Sequence, residues 1–184
     1  MSQTSYGIVD NFIEDEELLQ NLNNKALWKD LDNQDYHIYY PKDPPLTIWH
    51  KVILYVMHSP RLQLPNCKHF EYWCNVLHDG EELNWHVDKN EEEAKKGNLI
   101  CPKLGLVLYG YPHDVCGGYL EIDSRDKMYS DPDPDQVFLL RCEGSPYERV
   151  EPVYNRIVVF DVSQKHRIAP VLDGTRYGFQ LNLW

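Results

Sequence analysis

The chain has 184 residues, a hydrophobic content of 42% and a formal net charge of −11, so we expect one globular domain over residues 1–184 with a core of ordinary size. The acidity argues against a nucleic-acid partner, because surfaces that bind phosphate need clustered Lys and Arg. Five cysteines without CxxC spacing, no apolar run long enough to span a membrane and no signal-peptide pattern predict a cytoplasmic protein with no membrane partner.

The first third of the chain, residues 1–66, predicts a short strand followed by two helices. The strand is "YGIVDNF", and the first helix is "IEDEELLQNLNNKALW". Four apolar residues of this helix share one face: Leu18, Leu19, Leu22 and Ala26. After the breaker segment "YYPKDPP", Thr47 is the predicted N-cap of a second helix, "IWHKVILYVMH", which should end before a Ser-Pro pair.

From residue 67 onward the pattern changes to strands, and residues 67–184 form the predicted β core. Six runs rich in aromatic and β-branched residues are separated by Gly, Pro, Asp and Asn, which is typical of strands and turns. The runs are "CKHFEYWCNVLH", "LGLVLYGY", "GGYLEI", "VFLLRC", "NRIVVFDV" and "RYGFQLNLW". Because helices precede strands without βαβ alternation, we predict an α+β fold with helices against one face of an antiparallel sheet or barrel.

The stretch "LNWHVDKN", residues 83–90, places His86 and Asp88 two residues apart. Alternate residues of an extended strand point to the same face, so both side chains could reach one metal ion. A third candidate ligand, His166, lies in "VVFDVSQKHRIAP", and His113 is the alternative to it. Two histidines and one carboxylate form the facial triad of non-haem iron(II) oxygenases, which leaves coordination positions open for substrate and oxygen.

The last predicted strand, residues 176–184, alternates polar and apolar side chains. One face carries Arg176, Gly178, Gln180, Asn182 and Trp184, whereas the other carries Tyr177, Phe179, Leu181 and Leu183. This alternation predicts the wall of a polar cavity. A buried guanidinium needs an anionic partner, and no acidic residue lies on the predicted strand. A dicarboxylate held by a two-pronged contact would supply that anion.

Two polar segments flank these motifs, "KNEEEAKKGN" (89–98) and "DSRDKMYSDPDPD" (123–135). We expect solvated loops in both places. A role as lids over the site is the alternative, because each segment adjoins a predicted strand of the site.

An HxD pair, a distant His and an Arg ten residues later resemble the motifs of iron(II)/2-oxoglutarate-dependent oxygenases. The segments "DGEELNWHVD", "LVLYGYPHDVCGGYLEI" and "NRIVVFDVSQKHRIAPVLDGTRYGF" further resemble the prolyl-hydroxylase-like branch, over roughly residues 70–184. The resemblance implies a double-stranded β-helix (jelly-roll) core with the N-terminal helices packed on one sheet. It also implies that iron(II) is bound by three residues: His86, Asp88 and His166.

The resemblance further implies that Arg176 binds the far carboxylate of 2-oxoglutarate. This branch often has a tyrosine on the strand before HxD that contacts the co-substrate, whereas Val76 and Leu77 occupy that place here. Tyr109, on the next strand, is the predicted substitute.

By this resemblance, the chain is a dioxygenase that uses iron(II), 2-oxoglutarate and O2, with ascorbate as a candidate reductant. It would hydroxylate an aliphatic carbon, in a prolyl peptide, a free amino acid or another small molecule, and release succinate and CO2. A nucleic-acid demethylase on the same scaffold is one alternative, which the acidity disfavours. A non-catalytic metal-binding or interaction module is the other, and the intact set of ligands disfavours it.

Overall fold

The computed structural model describes residues 6–32, 35–123 and 147–184. The strands in these ranges, in chain order, are β1 (Tyr6–Val9), β2 (His37–Tyr39), β3 (Phe70–His78), β4 (Leu83–His86), β5 (Leu104–Leu108), β6 (Val115–Gly117), β7 (Leu120–Asp123), β8 (Tyr147–Val150), β9 (Ile157–Phe160), β10 (His166–Ile168) and β11 (Val171–Leu183). The helices are α1 (Glu16–Leu22), α2 (Lys25–Asp32), α3 (Ile48–His58) and α4 (Glu91–Lys95). Within the described ranges, no helix is both long and apolar enough to cross a membrane.

The strands form two antiparallel sheets. The larger sheet has seven strands in the order β1-β9-β5-β11-β3-β2, with β6 paired to β11, and the smaller has four in the order β4-β10-β7-β8. Apolar side chains from both sheets pack together in one buried cluster: Val107, Tyr109, Leu120, Ile122, Val150, Val158, Phe160 and Val162. Two antiparallel sheets that enclose a core in this way agree with the predicted jelly roll.

Helices α1, α2 and α3 cover the outer face of the larger sheet. The apolar alternate residues of β11 point into this helix-covered core: Tyr177, Phe179, Leu181 and Leu183. Trp49 of α3 stacks on Phe179 with ring centroids 4.7 Å apart, and burying an aromatic side chain of this kind contributes about 1.5–3 kcal/mol. The predicted alternation of β11 is therefore confirmed, and its polar residues are left to face the smaller sheet.

The predicted first helix is wrong in one respect, because the segment forms two helices. Helix α1 begins after Asp15, whose side chain accepts a hydrogen bond from the amide of Leu18 at 3.0 Å. Asn24 then accepts a hydrogen bond from the amide of Ala26 at 3.1 Å, and this local bond lies at the start of α2. Ala26 is exposed, and Trp28 is the residue of this segment that α2 buries.

The predicted second helix is confirmed as α3. Thr47 is its N-cap, and the Thr47 side chain accepts a hydrogen bond from the amide of His50 at 3.2 Å. The segment 89–98, predicted as a loop, contains the short helix α4, which Asn90 caps by accepting from the amide of Glu93 at 3.0 Å. Its expected role as a lid stays a prediction.

The last strand is longer than predicted. It begins at Val171 instead of Arg176, because residues 171–174 pair with β6. The longer strand includes Asp173, so the expectation that no acidic residue shares the strand of Arg176 is wrong, although Asp173 is exposed. Apart from Asp123, the loop predicted over 123–135 lies outside the described residues, as does the predicted strand "VFLLRC".

Candidate metal centre

The fold brings the three predicted metal ligands together on the smaller sheet. His86 ends β4, Asp88 follows two residues later, and His166 begins β10 directly opposite His86. The carboxylate oxygen Oδ1 of Asp88 lies 3.6 Å from Nε2 of each histidine. One ligand atom from each residue lies within 4.8 Å of the other two. Two imidazole nitrogens and one carboxylate oxygen fit an iron(II) ion and leave coordination positions open.

Backbone carbonyls hold both imidazole rings in the orientation that metal binding requires. His86 donates from Nδ1 to the carbonyl of Asn84 at 2.7 Å, and His166 donates from Nδ1 to the carbonyl of Gln164 at 2.9 Å. Because Nδ1 carries the proton in each ring, the lone pair of Nε2 is available to a metal ion.

The environment of His166 also favours the neutral ring. His166 is buried, and burial lowers its pKa to about 4, with the nearby Asp88 carboxylate raising it and His86 lowering it. A histidine with this pKa is uncharged at neutral pH, which is the form that binds a metal ion.

Arg176 lies fully buried in the wall of the same site. It donates from Nε to the carbonyl of Gly118 at 2.9 Å and from Nη2 to the hydroxyl of Tyr109 at 3.1 Å. Within the described residues, its Nη1 and the amide nitrogen Nε2 of Gln180 have no hydrogen-bond partner. Two buried donors without an acceptor are costly, so this pair is suited to an anionic ligand.

Gly178 leaves the space that such an anion needs. It lies between Arg176 and Gln180 on the inner face of β11, and a Cβ atom there would be 2.8 Å from Nη1 of Arg176 and 3.0 Å from Nε2 of Gln180. The two donors and the metal ligands line one cavity of about 80 Å³. The cavity therefore brings together three side chains that could hold a metal ion and two buried donors that could bind a carboxylate.

Tyr109 lies next to this arrangement but behind Arg176. Its side chain is fully buried at the end of β5, and the guanidinium of Arg176 packs over its ring at 5.0 Å from the centroid. Tyr109 is not among the residues that line the cavity. Its contact with the co-substrate stays a prediction, whereas its contact with Arg176 is observed.

His113, the alternative third ligand, lies apart from the metal ligands. It donates from Nε2 to the carbonyl of Pro152 at 2.9 Å. Among the described residues, the group that could hold a metal ion does not include it. Burial lowers the pKa of His113, while its hydrogen bond to Pro152 raises it and the charge of Arg176 lowers it.

Strand β3 supplies three inner-face residues near the metal ligands that were not predicted from the sequence, of which Trp73 and Asn75 line the cavity and Glu71 does not. Glu71, Trp73 and Asn75 alternate along its inner face and lie opposite Asn182, Gln180 and Gly178 of β11, respectively. The same alternation that revealed the polar face of β11 is present in "FEYWCNVL". The same reading of alternate residues in that run would have identified Glu71, Trp73 and Asn75.

Comparison of the sequence with protein families gives one match. The profile of the 2OG-Fe(II) oxygenase superfamily matches residues 72–184, which include all three candidate ligands and Arg176. A comparison with curated proteins found no match.

The structure is similar to several solved structures at low sequence identity. A prolyl-4-hydroxylase from Pseudomonas putida is 15% identical with a TM-score of 0.57, and the match covers 97% of this chain and 85% of that one. HygX from Streptomyces hygroscopicus with nickel and 2-oxoglutarate bound is 11% identical with a TM-score of 0.56, covering 97% and 82%. A Trichoplax adhaerens prolyl hydroxylase in complex with a hypoxia inducible factor peptide fragment is 14% identical with a TM-score of 0.53, covering 98% and 83%. These likenesses confirm the predicted double-stranded β-helix fold.

Proposed function

The chain belongs to the 2OG-Fe(II) oxygenase superfamily, and we propose that it hydroxylates an aliphatic carbon of a prolyl residue or a free amino acid. Iron(II) is its metal cofactor, and 2-oxoglutarate and O2 are its co-substrates. In the proposed site, iron(II) is held by His86, Asp88 and His166, and the far carboxylate of 2-oxoglutarate is held by Arg176.

One observation carries this proposal. The donors without an acceptor, Nη1 of Arg176 and Nε2 of Gln180, line the same cavity as the cluster of three ligand atoms. A metal ion alone would use the cluster and leave the donors unsatisfied. A ligand that has a carboxylate at one end and metal-binding oxygens at the other would satisfy both.

The protein groups would bind and orient, and bound iron(II) would supply the redox chemistry. In the overall reaction, the O–O bond of O2 breaks and 2-oxoglutarate loses CO2. One oxygen atom enters succinate, and the other converts a substrate C–H bond to C–OH. The substrate and 2-oxoglutarate each give two electrons, which together reduce O2.

The residues around the ligands have distinct roles in this proposal. Asn182 holds the Asp88 carboxylate by a hydrogen bond from Nδ2 to Oδ2 at 2.9 Å. Arg176 and Gln180 fix one end of the co-substrate, so that its other end faces the metal. Prolyl substrates are proposed because similar structures include the prolyl hydroxylases of Pseudomonas putida and Trichoplax adhaerens.

The test supplies the purified protein with iron(II), 2-oxoglutarate and O2 and measures succinate. A panel of proline-containing peptides and free amino acids is then examined by mass spectrometry for the gain of one oxygen. The expected result is succinate release that depends on a panel member and the same amount of hydroxylated product. The His166→Ala protein is the control. Absence of succinate with every panel member, or equal succinate from the control, would contradict the proposal.

A further inference from the structure

A larger cavity of about 750 Å³ opens beside the candidate metal centre. The two cavities share five lining residues: Trp73, Asn75, His86, Asp88 and Asn182. A cavity of this size holds a small molecule or the side chain and backbone of a short peptide. In the proposed function, it is the space for the substrate.

Glu71 places a carboxylate in the wall of this larger cavity. It is half-buried on the inner face of β3, opposite Asn182 of β11. Its Oε2 accepts a hydrogen bond from Nε1 of Trp184 at 3.0 Å. Within the described residues, no Lys, Arg or His forms an ion pair with Glu71.

This position is unfavourable for a charge without a counter-ion. Burial raises the pKa of Glu71, the hydrogen bond from Trp184 lowers it, the nearby carboxylate of Asp88 raises it, and a hydrogen bond with Asn182 lowers it; the net direction is upward. A cation brought by a ligand would remove this penalty, because a paired carboxylate is far better tolerated than an unpaired one.

The other charged residues around the cavity have partners of their own. Asp32 accepts a hydrogen bond from the amide of Val76 at 2.7 Å, and Lys89 lies 3.8 Å from Glu91. Lys165 also has an interaction partner. Apart from the metal ligands, Glu71 and Asp32 are the acids of this wall without an ion pair among the described residues, and Glu71 is the one that shares a strand face with Trp73.

Trp73 adds an aromatic surface next to the carboxylate. It is two residues after Glu71 on the same strand, so both side chains point to the same face. Trp73 also lines the smaller cavity with the metal ligands. A tryptophan ring beside a carboxylate is suited to a cationic nitrogen, because the ring face attracts cations and the carboxylate accepts charge-assisted hydrogen bonds.

We infer that the substrate carries a cationic nitrogen, an ammonium or guanidinium group, which binds between the carboxylate of Glu71 and the indole of Trp73. The inference rests on the proposed function, because it takes the larger cavity as the substrate site. It favours a free amino acid, or a peptide with a cationic group near the oxidised carbon.

The experiment measures binding without turnover, using protein loaded with nickel(II) and 2-oxoglutarate. Two matched pairs of probes are titrated by calorimetry: L-prolinamide against N-acetyl-L-prolinamide, and Nα-acetyl-L-lysinamide against its Nε-acetylated form. At least one cationic member is expected to bind about tenfold more tightly than its neutral partner, a typical effect of a hydrogen bond to a charged group.

Two variants test whether Glu71 is responsible for the preference. Glu71→Gln keeps the shape and the acceptor for Trp184, so it should abolish the preference for the cation and leave nickel(II) affinity unchanged. Glu91→Gln, which removes another acid of the same cavity, should keep the preference.

Three results would overturn the inference. The first is equal binding of the cationic and neutral probes in both pairs, and the second is a preference for the cation that survives in Glu71→Gln. The third is a Glu71→Gln protein that binds nickel(II) more weakly and binds both probes of each pair equally weakly. The last result would make Glu71 a positioning residue for the metal centre. Failure of the proposed function is distinguishable, because it would abolish succinate release and leave the binding preference intact.

Discussion

Asn182 donates a hydrogen bond from Nδ2 to Oδ2 of Asp88 at 2.9 Å, across 94 residues of sequence. The bond occupies one carboxylate oxygen and leaves Oδ1, which is 3.6 Å from Nε2 of both histidines. Gly105 on β5 lies beside it, and a Cβ atom there would be 2.0 Å from Cγ1 of Val162 and 3.1 Å from Oδ1 of Asn182. The geometry of the HxD motif therefore depends on two strands outside the motif.

Asn182→Ala is expected to weaken metal binding. Without the amide, the Asp88 carboxylate can rotate, and loss of an outer partner of this kind typically costs roughly 10- to 100-fold in metal affinity. The measurement is competitive titration of the apoprotein with nickel(II). Asn75→Ala is the matched control, since Asn75 lines the same cavity and has no hydrogen bond to a metal ligand within the described residues. Equal affinities of the two variants would show that Asn182 does not position Asp88.

His166→Ala should remove a metal ligand. Nickel(II) affinity should therefore fall by more than the roughly 10- to 100-fold expected when a hydrogen-bond partner of a ligand is lost. The fold should persist, because the strands supply most of the buried core. His113→Ala should bind nickel(II) as the parent does, because His113 is hydrogen-bonded to Pro152. Circular dichroism checks the fold of both variants. If His113→Ala loses the metal and His166→Ala keeps it, the third ligand is assigned wrongly.

Gly178→Ala is expected to weaken 2-oxoglutarate binding without weakening metal binding. The added Cβ atom would lie 2.8 Å from Nη1 of Arg176, so the guanidinium must shift away from the position in which it meets a carboxylate. Gly7→Ala is the control, because nothing lies within 4 Å of a Cβ atom at that position. The measurement is 2-oxoglutarate titration of the nickel(II)-loaded proteins. Unchanged 2-oxoglutarate affinity in Gly178→Ala would place the co-substrate elsewhere.

The spacing of apolar residues in the sequence predicted the helices and strands that bury one face and expose the other. The helix α3 and its cap at Thr47 follow from local chemistry, and the alternation of β11 follows from residues 176–183. The interruption between α1 and α2 was not predicted, because the apolar residues keep a helical spacing across it. The start of α2 depends instead on the hydrogen bond that the Asn24 side chain accepts. A side chain that bonds to the nearby backbone can interrupt a helix without changing the spacing of its apolar residues.

Motif spacing identified His86, Asp88, His166 and Arg176 as site candidates, since each lies in a recognisable pattern. Asn182 was placed on the correct face, but its bond to Asp88 depends on sheet register, which pairs β11 with β3 and β5. Short strands such as β2 and β10 carry too few residues to show a period. Tertiary contacts determine the register between strands and the positions of short strands, and a single sequence does not reveal those contacts.

Tyr109→Phe tests whether the hydroxyl of Tyr109 supports 2-oxoglutarate binding indirectly, by positioning Arg176. The variant keeps the ring under the guanidinium and removes the hydroxyl that accepts from Nη2 of Arg176. A hydrogen bond to a charged group contributes about 1.5–3 kcal/mol, so 2-oxoglutarate affinity should fall roughly tenfold or more. Nickel(II) affinity should not change. If 2-oxoglutarate binds Tyr109→Phe as it binds the parent, the hydroxyl does not position Arg176.

Arg176 gives the sharpest test of the co-substrate site. Its guanidinium is fully buried, its bonded partners are the neutral Gly118 carbonyl and Tyr109 hydroxyl, and no carboxylate within the described residues pairs with it. Removing one member of a buried, hydrogen-bonded charge pair typically costs about 2–5 kcal/mol. Arg176→Met should therefore weaken 2-oxoglutarate binding by roughly 30-fold to several-thousand-fold.

The lysine variant shows whether the loss comes from charge or from shape. Arg176→Lys keeps the positive charge but not the planar fork, so its 2-oxoglutarate affinity should fall between those of the parent and Arg176→Met. Because the metal ligands are untouched, nickel(II) affinity in the absence of 2-oxoglutarate should stay the same in all three proteins. The measurement is 2-oxoglutarate titration of the nickel(II)-loaded proteins. If Arg176→Met binds 2-oxoglutarate as tightly as the parent, Arg176 has a structural role and the co-substrate carboxylate lies elsewhere.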